Sequence, residues 1–164
     1  LTKRPYTMKL EGSGPVGYQT LSLVGIRDRA VLRELPRFLK EITENGVDKL
    51  TKMGVDRKDY DFNLKPYGYN AVSGLPVKNG YIPEEIGLLL TVTARDQALA
   101  TQVAKSFNPL LLHYNMFPGK QMPSFGFAFS PAEIERGKIY EFKLFHVVDV
   151  DDPLELVRFV QEEI

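Results

Sequence analysis

Tyr18-Gln19-Thr20-Leu21-Ser22-Leu23-Val24-Gly25-Ile26, followed by Arg27-Asp28, alternates along its length and is rich in leucine, valine and threonine. Alternation sends successive side chains to opposite sides of an extended backbone. The run therefore predicts a half-buried strand, closed by an aspartate that starts a helix. Upstream, Tyr6 to Leu10 reads as a partner strand, joined through Gly12-Ser13-Gly14-Pro15-Val16-Gly17 into an N-terminal hairpin. Downstream, Val31, Leu35, Phe38 and Ile42 recur at helical spacing, and Asn45-Gly46 offers a stop. Pro36 removes a backbone donor and crowds the turn before it. The pattern thus predicts a short turn up to Leu35 and a helix beginning near Pro36.

Further along, Val47 to Lys58 is charged and irregular or weakly helical, and Tyr60 to Lys65 alternates as a second strand. Pro66 to Pro83 holds Gly68, Gly74, Pro76, Asn79-Gly80 and Pro83, a density of breakers that predicts a long loop. Ile86 to Ala94 predicts a third strand with a leucine-rich start. Asp96 caps a helix with the apolar face Leu99, Val103 and Phe107, which Pro109 ends or kinks. Ile139 to Val148 alternates as a last strand, and Pro153 to Glu162 predicts a terminal amphipathic helix. The order strand, helix, strand, strand, helix, strand is the split βαβ arrangement of ferredoxin-like folds. The expectation is an α+β sandwich: an antiparallel sheet with helices on one face, plus the N-terminal hairpin and the C-terminal helix. The second face needs cover from the hairpin, the terminal helix, a second domain or another copy, so homo-oligomerisation or domain docking follows as an expectation.

The 164 residues fit one domain, residues 1–164, with length enough for a core. Basic and acidic residues balance at 21 each, leaving no net field to hold a polyanion, which argues against nucleic acid. The absence of cysteine excludes disulfides and thiolate chemistry and fits a reducing, cytoplasmic compartment. Apolar runs such as Gly87-Leu88-Leu89-Leu90 fall far short of the roughly 20 residues that cross a bilayer, so no membrane partner is expected.

Gly12-x-Gly14-x-x-Gly17 matches a dinucleotide fingerprint in letters, but Pro15 interrupts it and a strand, not a helix, follows. A hairpin loop is the better reading, and no cofactor is implied. Asp149-Val150-Asp151-Asp152 invites a metal, yet Pro153 and Leu154 stand where a calcium loop would turn. Helix capping, with Asp152 as N-cap, Pro153 next and Glu155 reaching back, explains it without a metal. Ser130-Pro131-Ala132-Glu133 repeats that device and predicts a short helix. His113 and His146 are the two imidazoles, the side chains suited to proton transfer near neutral pH, and are the candidate catalytic residues. Each also reads as a histidine satisfied by one hydrogen bond. Candidate binding residues are Arg27, an anion clamp at a strand end or, more simply, a solvated arginine beside the capping Asp28, and Tyr67 and Asn70 in the loop Tyr67 to Gly74, which pairs aromatics with an amide. Tyr114, beside His113 before the Pro118-Gly119 turn, is the fourth.

The words Leu112-His113-Tyr114, Phe127-Ala128-Phe129-Ser130-Pro131, Tyr140-Glu141-Phe142 and Asp149-Val150-Asp151-Asp152-Pro153 combine with Leu10-Glu11-Gly12, Val16-Gly17-Tyr18 and Val24-Gly25-Ile26-Arg27-Asp28. Together they resemble short-form members of the acyclic terpene utilisation (AtuA-like) protein family over about residues 10–160. The loop Tyr67-Gly68-Tyr69-Asn70-Ala71-Val72-Ser73-Gly74 resembles a family word as well. The chain departs from the family at Ser124-Phe125-Gly126-Phe127, where an asparagine usually stands. The resemblance implies the C-terminal part of a longer chain whose N-terminal α/β region or subunit is its partner. It also implies a role in catabolism of branched or acyclic acids or their thioesters, at a site shared with that partner. A non-catalytic docking and oligomerisation module and a small-ligand sensor are the alternative readings.

Overall fold

The computed structural model describes residues 5–78, 80–119, 125–154 and 156–161. In chain order these form β1 (Tyr6–Ile26), α1 (Arg29–Arg33), α2 (Leu35–Lys52), a 3-10 turn (Arg57–Asp59), β2 (Tyr60–Tyr67), β3 (Ile86–Ala94), α3 (Gln97–His113), β4 (Gly126–Phe127) and β5 (Ile134–Val150). The fold is α+β. Its five-stranded sheet runs β2-β3-β1-β4, with β5 pairing β1 off that path, and the ladders between β1 and β3, β1 and β4, and β2 and β3 are antiparallel. The chain divides into two compact units, Val16–Ile139 and Leu1–Pro15 with Tyr140–Ile164.

In the unit Val16–Ile139 the strand alternation decides what is buried. Thr20, Ser22, Val24 and Ile26 of β1 and Ile86, Leu88, Leu90, Val92 and Ala94 of β3 are all buried, while the residues between them are half-buried or exposed. The buried set packs with Phe38, Ile42 and Leu50 of α2 and Ala100, Val103, Phe107 and Leu111 of α3 in one apolar cluster. Burial of that stripe, rather than helix propensity, accounts for most of the helices' stability. The caps sit where the aspartates predict them. Asp28 Oδ1 accepts from the Ala30 and Val31 amides at 2.9 and 3.0 Å, and Asp96 Oδ1 from the Leu99 amide at 2.8 Å. Pro36 lies in the first turn of α2, where its missing donor costs nothing.

Neither Asn45-Gly46 nor Pro109 ends its helix. Asn45-Gly46 does not stop α2, which continues to Lys52, and Gly46 is buried where a side chain would overlap the Phe107 ring. Its glycine serves close approach of two helices, not chain reversal. Pro109 lies inside α3, which runs on to His113. Ser130 to Glu133 forms bends instead of a helix, and Glu133 accepts a hydrogen bond from the Asn108 amide instead of capping.

The N-terminal hairpin is also corrected. Tyr6 to Ile26 is one strand, and the glycines of the expected loop lie within it. Gly17 is required there, because a Cβ would stand 2.5 Å from the Ala94 carbonyl oxygen. In the unit that joins the chain's two ends, β1 and β5 pair, with Gly12 facing Leu144 and the Lys9 ammonium 4.8 Å from the Phe145 ring centroid. The C-terminal helix is corrected too. Asp152 Oδ1 accepts from the Leu154 amide at 2.8 Å and the Val157 amide donates to the Leu154 carbonyl, but this single turn is not continued over 157–161. Leu154, Val157, Phe159 and Val160 stay exposed, so no buried stripe offsets the cost of helix nucleation. Glu155 and Glu162, assigned to that helix, lie outside the described residues, as does Ser124.

Candidate functional site

A cleft of about 800 Å³ opens at one end of the sheet in the unit Val16–Ile139. Four strands build it, and the register explains its shape. Tyr67 pairs with Gly87, Gly87 with Gly25 and Gly25 with Gly126, so one row across β2, β3, β1 and β4 reads Tyr-Gly-Gly-Gly. By the alternation of β1 and β3, Gly25 and Gly87 lie on the sheet face away from the helices. Three successive positions without side chains leave bare peptide as a floor. The next row inward carries Leu23 opposite Leu89, an apolar end to the cleft. At the outer end, one position beyond the Ile26–Ile86 pair, stand Arg27 and Glu85. Phe125 and Ala128 line the β4 side, held by the Ala128 amide donating to the Leu23 carbonyl at 2.9 Å.

The glycines are not imposed by the fold. None of Gly25, Gly87 and Gly126 has a left-handed backbone, and among the described residues a Cβ on each would come no closer than 3.4 Å to any atom. A glycine inside a strand weakens it and commonly marks close approach by another group. The floor is open for occupation.

Of the side chains predicted to bind, Arg27 and Tyr67 line this cleft. Arg27 makes no hydrogen bond or ion pair among the described residues, unlike Arg29 two positions on, which bonds Glu84 at 2.6 Å. Asn70 lies with Tyr67 on a smaller hollow of about 300 Å³, and its amide donates to the Leu75 carbonyl at 3.3 Å, which ties the loop to itself. Tyr69 stacks beside Tyr81, whose hydroxyl donates to the Gly68 carbonyl at 3.3 Å. Tyr114 is occupied elsewhere. Its hydroxyl donates to Glu41 Oε2 at 3.0 Å while Arg37 Nε holds Oε1 at 2.7 Å, and its ring sits 6.3 Å from that of Phe38. The Arg37 hydrogen bond and that of Tyr114 keep the Glu41 carboxyl below its usual range. Burial, then the Glu41 hydrogen bond, pushes the Tyr114 phenol up. This is a structural clasp between α2 and the end of α3.

His113 is not among the residues that line the cleft, and His146 belongs to the other unit. His113 is the exposed last residue of α3, and His146 is an exposed residue of β5 in the other unit; neither is hydrogen bonded among the described residues. Among the described residues no group of three His, Asp or Glu side chains is arranged to hold a metal ion. Nor is any described helix long and apolar enough to cross a membrane. The sequence reading missed Leu23, Glu85, Gly87, Phe125 and Gly126. Gly25 and Gly87, each interrupting a β-branched or leucine-rich strand, were the available signal.

Fold and cleft together describe an α+β domain with an open hollow at one sheet end, built from apolar residues, bare backbone and two charges. Comparison with protein-family models, with curated protein sequences and with solved structures finds no match to this chain.

Proposed function

We propose that the protein is a ligand-binding domain of the acyclic terpene utilisation type whose cleft takes a branched, acyclic carboxylic acid. The observation that carries this reading is Arg27, exposed and without an ion pair among the described residues, at the mouth of a cleft whose inner end is Leu23. A guanidinium binds a carboxylate through parallel charge-assisted hydrogen bonds, and the branched chain would lie along the glycine floor toward Leu23 and Phe125. Most pockets for small molecules combine apolar lining with a few oriented polar groups in this way. Among the described residues of the unit Val16–Ile139 the lining supplies an arginine, a glutamate and a tyrosine but no histidine, and binding is the activity we assign to it. The ferredoxin-like description is part of the proposal. It rests on the order β2-β3-β1-β4 and on a helical connection on each side of the β2–β3 hairpin. A cytoplasmic setting and an N-terminal partner domain complete it, both resting on the resemblance and the cysteine-free composition.

The test is calorimetric titration with a methyl-branched octanoate. Saturable binding that Arg27→Ala weakens and Arg27→Lys partly keeps is expected. No binding, or equal binding by Arg27→Ala, overturns the reading.

Self-association is a second reading, favoured by the unit that joins the chain ends. Tyr140, Phe142, Phe145 and Val147 of β5 are all more than half exposed, and among the described residues β5 pairs with no strand other than β1. An exposed apolar strand with a free edge is a template for pairing, and a second copy presents the same edge about a two-fold axis. Light scattering is expected to give a dimer that Phe142→Lys with Phe145→Glu converts to monomer. A monomeric parent protein sinks this reading.

A further inference from the structure

Arg27 and Glu85 sit on neighbouring strands, one position past the Ile26–Ile86 pair, and both line the cleft. Opposite charges at such cross-strand positions ordinarily pair. Here no ion pair forms between them, and neither has another partner among the described residues. The adjacent pair Arg29–Glu84 does close, at 2.6 Å. The cleft mouth thus presents one cationic and one anionic group, both exposed and neither ion-paired among the described residues, above an apolar interior.

We infer that the ligand of this cleft is dipolar: an apolar branched-chain α-amino acid, its carboxylate on Arg27, its ammonium on Glu85 and its side chain over Gly25 and Gly87 toward Leu23. This rests on the proposed binding role of the cleft and narrows its ligand class. A simple carboxylic acid would satisfy Arg27 but would leave Glu85 facing the ligand's alkyl chain, an uncompensated carboxylate partly stripped of water. An ammonium removes that penalty and adds a charge-assisted hydrogen bond. The Tyr67 hydroxyl, at the edge of the glycine row, accepts no role in the charge balance and serves as a side wall.

Leucine and isocaproate share one branched chain and differ by the amino group, so paired calorimetric titrations of the full chain isolate the effect of Glu85. Leucine is expected to bind about tenfold more tightly than isocaproate, from the strength of one hydrogen bond to a charged group. Glu85→Gln should erase that preference and leave isocaproate affinity unchanged or improved; Arg27→Ala should weaken both. Isocaproate binding as well as or better than leucine overturns the dipolar assignment while leaving the carboxylate site intact. Binding of neither ligand, in a protein whose thermal unfolding is cooperative, overturns the cleft as a site for such acids and this inference with it.

Discussion

Gly46 of α2 and Phe107 of α3 meet so closely that a methyl group on the glycine would overlap ring carbons Cε1, Cζ and Cδ1, all nearer than 3.0 Å. Both residues are fully enclosed or nearly so, and Phe107 also packs against Phe62 with ring centroids 4.7 Å apart. An exposed helix would gain stability from alanine in place of glycine. Here Gly46→Ala is expected to destabilise by about 1–3 kcal/mol through overpacking. Urea denaturation of Gly46→Ala with and without Phe107→Leu checks this: the smaller residue should recover part of the loss, and additive effects would contradict it.

Gln97 links three elements. Its Nε2 donates to Thr20 Oγ1 at 2.7 Å on β1, and its Oε1 accepts from the Gly137 amide at 3.1 Å on β5. Thr20 is fully buried. Gln97→Leu leaves the Gly137 amide without its acceptor and should cost about 1–3 kcal/mol. Hydrogen exchange gives the local readout, with faster exchange at Gly137 expected. Unchanged protection there would show that the amide is held by other means.

The Glu41 clasp predicts an acid-sensitive contribution. Its folded-state carboxyl titrates below the ordinary value of 4.5, held down by the Arg37 hydrogen bond first and that of Tyr114 next. The unfolded chain therefore binds a proton more readily. The stability this adds is full above the ordinary value and is lost as pH falls through the folded value. Glu41→Gln should flatten that limb of the pH–stability curve. Tyr114→Phe, which removes one of the two hydrogen bonds, should shift the limb to higher pH. Denaturant midpoints across the acid range decide it.

The glycine floor can be filled without harm to the fold. Gly126→Ala meets nothing within 4 Å among the described residues and has no left-handed backbone to strain. It should leave stability unchanged or raise it by about 0.4–1 kcal/mol. Gly25→Val in the middle of the row should block ligand binding while keeping cooperative unfolding. Retained affinity in Gly25→Val would mean that the ligand does not use the floor.

What could be read from the chain followed how local the causes were. Asp28, Pro36 and Asp96 act on their own turns, and the helix starts fall where they indicate. Ile86 to Ala94 reads as a strand from its apolar run and keeps those bounds, though only its alternate positions are fully buried. The failures came from tertiary causes. Gly46 looks like a helix stop until Phe107 is beside it, and Gly12 to Gly17 look like a turn until β5 and Ala94 show why glycines are wanted along a strand. The terminal amphipathic pattern is real in sequence, but nothing buries its apolar side. For the site, Arg27 and Tyr67 were accessible as types at strand ends, whereas the glycine row exists only as a cross-strand register that no single segment contains.

The 21-residue strand β1 belongs to both units, and its outer half finds a partner only in the part of β5 beyond Tyr140. On a ribosome Tyr6 to Pro15 emerge well over a hundred residues before the part of β5 beyond Tyr140, so the two halves of one strand mature at different times. Residues 16–139 can close around their core while Tyr6 to Pro15 wait as an unpaired extension, because loop closure over most of the chain must precede their ladder. A chain halted before Tyr140 would carry a complete cleft and a bare strand end. Synthesis through β5 is what conceals a strand that would otherwise seek pairing in another molecule.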